Sequence, residues 1–293
     1  MRVRPLTSEE LKRHPLPRHE DSDKYAHGAL LLIAGSRETP GSAAIAATAA
    51  MRSGCGKVTT ATVEPIAPHI ALAVPEARVL GLPMGRNGGI ARSALKPIEE
   101  CLGDFDAVVA GPGMKPGKVV EALAKLLLGE RLPRLVLDAA MLHALAPNDE
   151  AARETAMPIL LPHDREMAAL IDCEPEDVAT DPLGCGRLCA ARYEALTLVK
   201  GAESYIAAPD GSAWHFTGGS PGLGVAGSGD ALAGIVGGLL ACGADAVSAL
   251  LWAVWLHGEA GQSLARKVGA QGFLAREISG ELPALLTRAH SLE

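Results

Sequence analysis

The stretch Gly218-Gly219-Ser220-Pro221-Gly222-Leu223-Gly224-Val225-Ala226-Gly227-Ser228-Gly229-Asp230-Ala231-Leu232-Ala233-Gly234-Ile235-Val236-Gly237-Gly238-Leu239-Leu240-Ala241-Cys242-Gly243 changes character halfway along. Its first half is too rich in glycine for a regular element. Its second half, from Ala231 to Ala241, is apolar enough for a buried helix. At the junction, Gly227-Ser228-Gly229-Asp230, glycines let successive backbone N–H groups converge without Cβ interference. The helix that follows adds the positive end of its dipole. Together they form a site for an anion, and a phosphate suits it best. A fixed negative charge beside a phosphate is a poor way to bind one, so Asp230 needs a separate reason. It makes sense as the group that takes a proton from a hydroxyl reacting with that phosphate. The alternative is that Asp230 only caps the helix.

Outward from this junction the chain reads as an α/β protein. Of its 293 residues 48% are hydrophobic and only 3% aromatic, so the core is built from Ala, Val, Leu and Ile. That is the material of helices packed on a parallel sheet. The formal net charge of −7 argues against a nucleic-acid partner. No run of like charge marks a membrane-surface patch, and no apolar run is long enough to span a bilayer. The first ten residues lack the apolar stretch of a secretory leader. Six scattered cysteines, Cys55, Cys101, Cys173, Cys185, Cys189 and Cys242, read as reduced thiols of a cytosolic protein. Cys185 and Cys189 lie one helical turn apart, but nothing completes a metal site around them.

Residues 1–27, polar and carrying Pro5, Pro15 and Pro17, are expected to wrap the surface. Buried strands follow at Ala29–Ala34, Val58–Val63, Ala107–Ala110, Leu135–Leu137, Ile159–Leu161 and Leu196–Lys200. Ser204–Ala208 and Ala213–Phe216 form a hairpin around Pro209-Asp210-Gly211. Helices are expected at Ser42–Ser53, Val119–Leu128, Ala231–Ala241, Ala246–Leu264 and Phe273–His290. One doubly wound domain over residues 1–293 is the economical reading. Polar residues recur at the carboxyl ends of the strands: Ser36, Gly111, Asp138, His163 and Lys200. Open α/β sheets bind ligands at that edge, so one cleft is expected there with Asp230 in it.

Gly227-Ser228-Gly229-Asp230 with Ala231-Leu232-Ala233-Gly234 resembles the signature of ribokinase-like proteins. Further landmarks narrow the resemblance to the ADP/ATP-dependent NAD(P)H-hydrate dehydratases. They are Lys24-Tyr25-Ala26-His27-Gly28, Gly41-Ser42-Ala43, Met51-Arg52-Ser53-Gly54-Cys55-Gly56, Gly111-Pro112-Gly113, Asp138, Pro162-His163, Val199-Lys200-Gly201-Ala202-Glu203-Ser204 and Ser220-Pro221-Gly222-Leu223. They run collinearly from about Lys24 to the C-terminal helices.

The resemblance implies a ribokinase-like, mostly parallel sheet flanked by helices on both faces. The implied function is metabolite repair. Hydrated NADH or NADPH, with a hydroxyl at C6 of its reduced nicotinamide ring, loses that hydroxyl at the expense of an adenine nucleotide. ADP is the expected donor, with ATP as the other possibility, and magnesium the expected metal. Asp230 is the implied catalytic base, and Gly227, Ser228 and Gly229 the implied anion hole, through their N–H groups. Ala43, Gly113, His163 and Asp230 are the implied contacts to the hydrate. Lys200, Gly201, Ala202, Glu203, Ser204 and Gly229 are the implied nucleotide contacts. The same resemblance implies a cytoplasmic homotetramer with an epimerase on a separate protein, since no room exists for one before Lys24.

Each residue also has a plain alternative. Ala43 and Gly113 could be small for close packing, His163 could cap a helix, and Lys200 could be a solvated lysine. The chain departs from the family at Asp138-Ala139-Ala140-Met141-Leu142, Pro162-His163-Asp164-Arg165-Glu166, Met114-Lys115, Ser220-Pro221-Gly222 and Val225. Two other functions compete: a kinase of a vitamin-precursor alcohol of thiazole or pyridoxal type, and a non-catalytic nucleotide-binding protein.

Overall fold

The computed structural model describes residues 3–17, 27–129, 132, 134–145 and 157–290. The landmark Lys24-Tyr25-Ala26 lies outside them. Ten strands make one sheet: β1 (Arg4–Pro5), β2 (Ala29–Ile33), β3 (Lys57–Val63), β4 (Arg78–Leu82), β5 (Ala107–Ala110), β6 (Leu135–Leu137), β7 (Ile159–Leu160), β8 (Leu196–Val199), β9 (Ser204–Ala207) and β10 (Ala213–Phe216). Their order is β1-β10-β9-β8-β7-β6-β5-β2-β3-β4. From β8 to β4 every neighbouring pair is parallel. The β9–β10 hairpin runs antiparallel to β8, as its turn sequence implies.

The helices are α1 (Ser8–Leu11), α2 (Pro40–Arg52), α3 (Ala67–Ala73), α4 (Leu95–Cys101), α5 (Lys118–Gly129), α6 (Asp164–Ile171), α7 (Pro175–Thr180), α8 (Pro182–Tyr193), α9 (Ser228–Ala241), α10 (Ala246–Lys267) and α11 (Ala275–His290). Leu30 to Ile33 of β2 and Ala107 to Ala110 of β5 are completely buried, because a central parallel strand is covered on both faces. The fold is doubly wound, as the strand and helix pattern implies, and its mostly parallel sheet is the one the resemblance to ribokinase-like proteins implies.

Three features differ from the sequence reading. Residues 4 and 5, expected to lie over the surface, add an edge strand beside β10, and Leu6, Leu11 and Leu16 are buried behind it. Glu10 anchors that segment by accepting a hydrogen bond from Trp214 Nε1 at 3.0 Å. Strand β4 went unread, since its half-exposed Arg-Val-Leu-Gly-Leu lacks a continuous apolar run. Helix α9 begins at Ser228, three residues before the expected Ala231, so Asp230 falls inside its first turn.

Helix α9 is held by close backbone approach. A side chain on Gly234 would overlap the Ala46 carbonyl of α2, and one on Gly238 would stand 2.6 Å from the Ala50 carbonyl oxygen. Small residues on both helices allow this contact. It fixes the N-terminus of α9 against the strand ends.

Candidate active site

The loops after the parallel strands are tied to one another. Gly35 N–H donates to the Pro112 carbonyl at 2.7 Å, and Thr39 Oγ1 donates to the Gly113 carbonyl at 2.6 Å. Ser36 Oγ lies 2.7 Å from Thr39 Oγ1, and Lys200 N–H donates to the Pro162 carbonyl at 3.0 Å. The carboxyl ends of β2, β5, β7 and β8 therefore form one continuous edge, as parallel topology requires.

The N-terminus of α9 faces this edge. Its cap residue is Gly227, at φ 92°, a backbone state that suits glycine. No side chain caps the helix. The Ala231 amide bonds to the Gly227 carbonyl at 3.0 Å, whereas the amides of Gly229 and Asp230 have no acceptor among the described residues. With the Gly227 amide, which also has no acceptor among the described residues, they stand at the positive end of the helix dipole, the arrangement an anion site needs. One correction applies to the expected N–H set. Ser228 N–H is spent on the Val225 carbonyl at 3.1 Å because the chain turns tightly before the helix. The Ser228 hydroxyl lies 3.0 Å from His257 Nε2.

A cleft of about 750 Å³ opens on one side of this helix end. Lys200, Gly201, Ala202 and Ser204 line it with His163, Ser228 and Gly229, and Phe216, Leu223 and His257 supply much of the rest. This volume suits a nucleotide. Lys200 is not a solvated surface lysine. Its Nζ reaches over the end of β7 to Asp138 Oδ1, 2.8 Å away. The same ammonium stands 3.6 Å from the point where a Cβ on Gly229 would be. Glu203 turns away from the lining, hydrogen-bonding His215 Nε2 at 2.6 Å and Tyr205 Oη at 3.2 Å.

Asp230, Ala43 and Gly113 lie outside the lining of that cleft and gather around Ser42. The Asp230 carboxylate does not cap its own helix; the Ser42 hydroxyl lies near enough to favour its charged form. A Cβ on Gly113 would stand 2.6 Å from Ser42 Cβ. Ala43 follows Ser42 and is fully buried, close-packed next to Gly35. The expected single cleft is thus two-sided, with the α9 N-terminus between a cleft and a Ser42-centred corner.

Burial pushes the Asp230 carboxyl above the ordinary carboxylate range, and the charge of Asp138 adds to it. The Ser42 hydrogen bond and the Lys200 ammonium pull the other way. The result is a carboxylate more basic than a surface aspartate, as proton abstraction requires. His163 behaves as its plain alternative foresaw. It caps α6, with Nδ1 accepting from the amides of Arg165 at 3.1 Å and Glu166 at 3.3 Å. It also lines the cleft, so capping and ligand contact are compatible.

Sequence reasoning missed Ser42 and His257 as functional side chains. Ser42 sits within a family landmark and was passed over for its neighbour Ala43. His257 lies in the middle of the apolar helix α10, where no motif marks it.

A family model described as NAD(P)H-hydrate dehydratase matches residues 30–284. The chain is 42% identical to the ADP-dependent (S)-NAD(P)H-hydrate dehydratase of Xanthomonas campestris pv. campestris, covering 98% of this chain and 97% of that one. It is 39% identical to the bifunctional NAD(P)H-hydrate repair enzyme Nnr of Gloeobacter violaceus, matching 92% of this chain but 52% of that protein. Among solved structures, the ADP/ATP-dependent NAD(P)H-hydrate dehydratase of Bacillus subtilis, co-crystallised with ATP and magnesium, superposes with a TM-score of 0.86. Identity there is 29%, and the match covers 99% of both chains. A helix end with unpartnered amides, a carboxylate of raised pKa beside it and a sequence match along nearly the whole length agree. The chain belongs to the NAD(P)H-hydrate dehydratase family.

Proposed function

We propose that this protein restores hydrated NADH and NADPH to the normal reduced dinucleotides, using ADP as phosphoryl donor. The observation that carries this reading is the two-sided helix end. Ser228 and Gly229 face the nucleotide-sized cleft, and Asp230, next along the chain, faces the Ser42 corner. A phosphoryl group held at the α9 amides has a base immediately beside it.

The chemistry follows from the leaving group. Hydroxide leaves a ring carbon poorly, and phosphate leaves well. Asp230 takes the proton of the C6 hydroxyl while that oxygen bonds to the terminal phosphorus of the nucleotide, and the bond from phosphorus to the bridging oxygen breaks. Loss of phosphate with a proton from the adjacent carbon then regenerates the ring double bond. The amides of Gly229 and Asp230 stabilise charge on the transferring group, with Gly227 shaping the turn. Lys200 neutralises the nucleotide phosphates, with Gly201, Ala202 and Ser204 as further nucleotide contacts, whereas the Glu203 side chain is held by His215 and Tyr205. Gly113 and His163 are further hydrate contacts, and Ala43, fully buried, packs beside Gly35 rather than touching the substrate.

Magnesium suits this site through phosphate oxygens and water. Among the described residues no three His, Cys, Asp or Glu side chains are grouped to hold an ion. Bound there, it would add charge neutralisation at the phosphates. A cytoplasmic homotetramer, a single domain over the whole chain and an epimerase on a separate protein belong to the same proposal, supported by the resemblance. Among the described residues no helix is long and apolar enough to cross a membrane.

The test is direct. Incubated with NADH hydrate, ADP and magnesium, the protein should restore the absorbance of reduced nicotinamide. Phosphorylation of a thiazole or pyridoxal-type alcohol without that recovery would overturn the proposal, as would binding without turnover.

A further inference from the structure

His257 is a titratable group at the heart of the site that the reaction above does not use. It projects from α10 onto the first residue of α9, and a single ring nitrogen makes both of its contacts. Nε2 lies 3.0 Å from Ser228 Oγ and 3.1 Å from the Ser228 carbonyl oxygen. A carbonyl only accepts, so the second contact requires the proton on Nε2. Ser228 Oγ, at nearly the same distance from the same nitrogen, then accepts as well.

The consequence falls on the serine. With its lone pairs directed at Nε2–H, its own O–H points away from the imidazole, and Ser228 lines the cleft. Among the described residues no other hydrogen-bond partner of Ser228 Oγ is present. Its backbone amide is already committed to Val225, so the hydroxyl is the donor this residue can offer a phosphate.

We infer that His257 is a positioning residue for nucleotide binding, which holds the Ser228 hydroxyl as a hydrogen-bond donor to a phosphate oxygen of the nucleotide. The inference rests on the nucleotide lying at the α9 N-terminus. Burial and the nearby Lys200 ammonium push the His257 pKa down to about 4, so the ring is neutral at physiological pH. Neutrality matters because an imidazolium would be a charge-bearing phosphate ligand in its own right. In the neutral ring the one N–H is committed to Ser228, which leaves His257 no donor of its own for a phosphate.

The experiment is calorimetric titration of ADP with magnesium into the full chain, for wild type, His257→Leu, His257→Gln, Ser228→Ala and the double variant His257→Leu/Ser228→Ala. Losing a hydrogen bond to a charged phosphate corresponds to a loss of about tenfold or more in affinity. His257→Leu and Ser228→Ala should each weaken ADP binding by about that factor, and the double variant should be no weaker than the worse single one. His257→Gln, whose amide N–H can replace Nε2–H, should recover most of the loss. Circular dichroism and thermal unfolding verify that each variant is folded, and His257→Gln stands as the readable variant if His257→Leu is not.

Additive losses would overturn the inference, and so would a glutamine variant as weak as leucine or unchanged affinity in His257→Leu. If wild type binds no ADP at all, the nucleotide reading itself fails. If wild type binds ADP and the His257 variants bind equally well, only the positioning role is lost.

Discussion

Lys200 Nζ and Asp138 Oδ1, brought together over the end of β7, form an ion pair 2.8 Å long beside the cleft that Lys200 lines. Asp138 is 2% exposed and the Lys200 side chain 19%. Breaking a pair this deep leaves a desolvated charge behind. Lys200→Met should therefore lower stability in urea unfolding by about 3 kcal/mol, the usual size for an orphaned buried partner. The same variant should raise the KM for ADP by about tenfold or more, because the ammonium also stands beside Gly229.

Asp230→Asn keeps the shape of the side chain and removes the base. Turnover should fall by about 10²- to 10⁴-fold, the range general-base catalysis supplies, while ADP affinity measured by calorimetry stays largely in place. Comparable activity in this variant would remove Asp230 from its role.

The same substitution should stabilise the fold at neutral pH. Burial raises the pKa of Asp230 in the folded state above its value in the unfolded chain, so the ionised carboxylate disfavours folding at any pH above both. That cost fades as pH falls through the folded pKa and is absent below the unfolded value, about 4. Melting curves of Asp230→Asn and wild type should differ at pH 7, with the variant higher, and converge in acid.

Activity needs the ionised form of Asp230, so kcat/KM should fall as pH drops through its pKa, with a midpoint above the ordinary value of about 4. Ser42→Ala deletes the hydrogen bond that favours the carboxylate, and its acidic limb should move to higher pH. A limb that stays put or moves down would contradict the Ser42–Asp230 contact.

Gly227→Ala tests the turn itself. At φ 92° an alanine is strained by about 1–2 kcal/mol, and its Cβ would stand 2.8 Å from Ile45 Cδ1. Loss of kcat together with loss of ADP affinity is expected, since both depend on where the α9 amides point.

Much of the site was legible in the sequence, for a physical reason. Buried parallel strands are written as unbroken apolar runs such as Leu30 to Ile33, and the polar residue closing each run marks the ligand edge. The Gly227–Asp230 junction is legible because Gly227, at φ 92°, holds a backbone state that favours glycine. The rest was hidden because it depends on meetings between distant segments. Nothing local distinguishes Ser42 from any small-helix serine until Asp230 arrives beside it. His257 in Trp252-Ala253-Val254-Trp255-Leu256-His257 reads as a helix residue like the others, and its meaning comes from Ser228 on another helix. Asp138 was read as a strand-end landmark, but its pairing with Lys200 needed the order of β6, β7 and β8. The edge strand β4 and the short helices α3, α4 and α7 were missed because half-exposed or brief elements carry little periodicity.

The interlock of Gly234 and Gly238 with the carbonyls of Ala46 and Ala50 carries a consequence for how turnover can proceed. A rod seated backbone to backbone has no slack for sliding or rolling, so Asp230 cannot be delivered to its alcohol by a stroke of its helix. The two reactants have to be brought to a stationary base, and any adjustment during the cycle falls to the glycine-rich segment that precedes it. Alanine at either interlocking position would push the base off its mark without touching a single polar atom of the site.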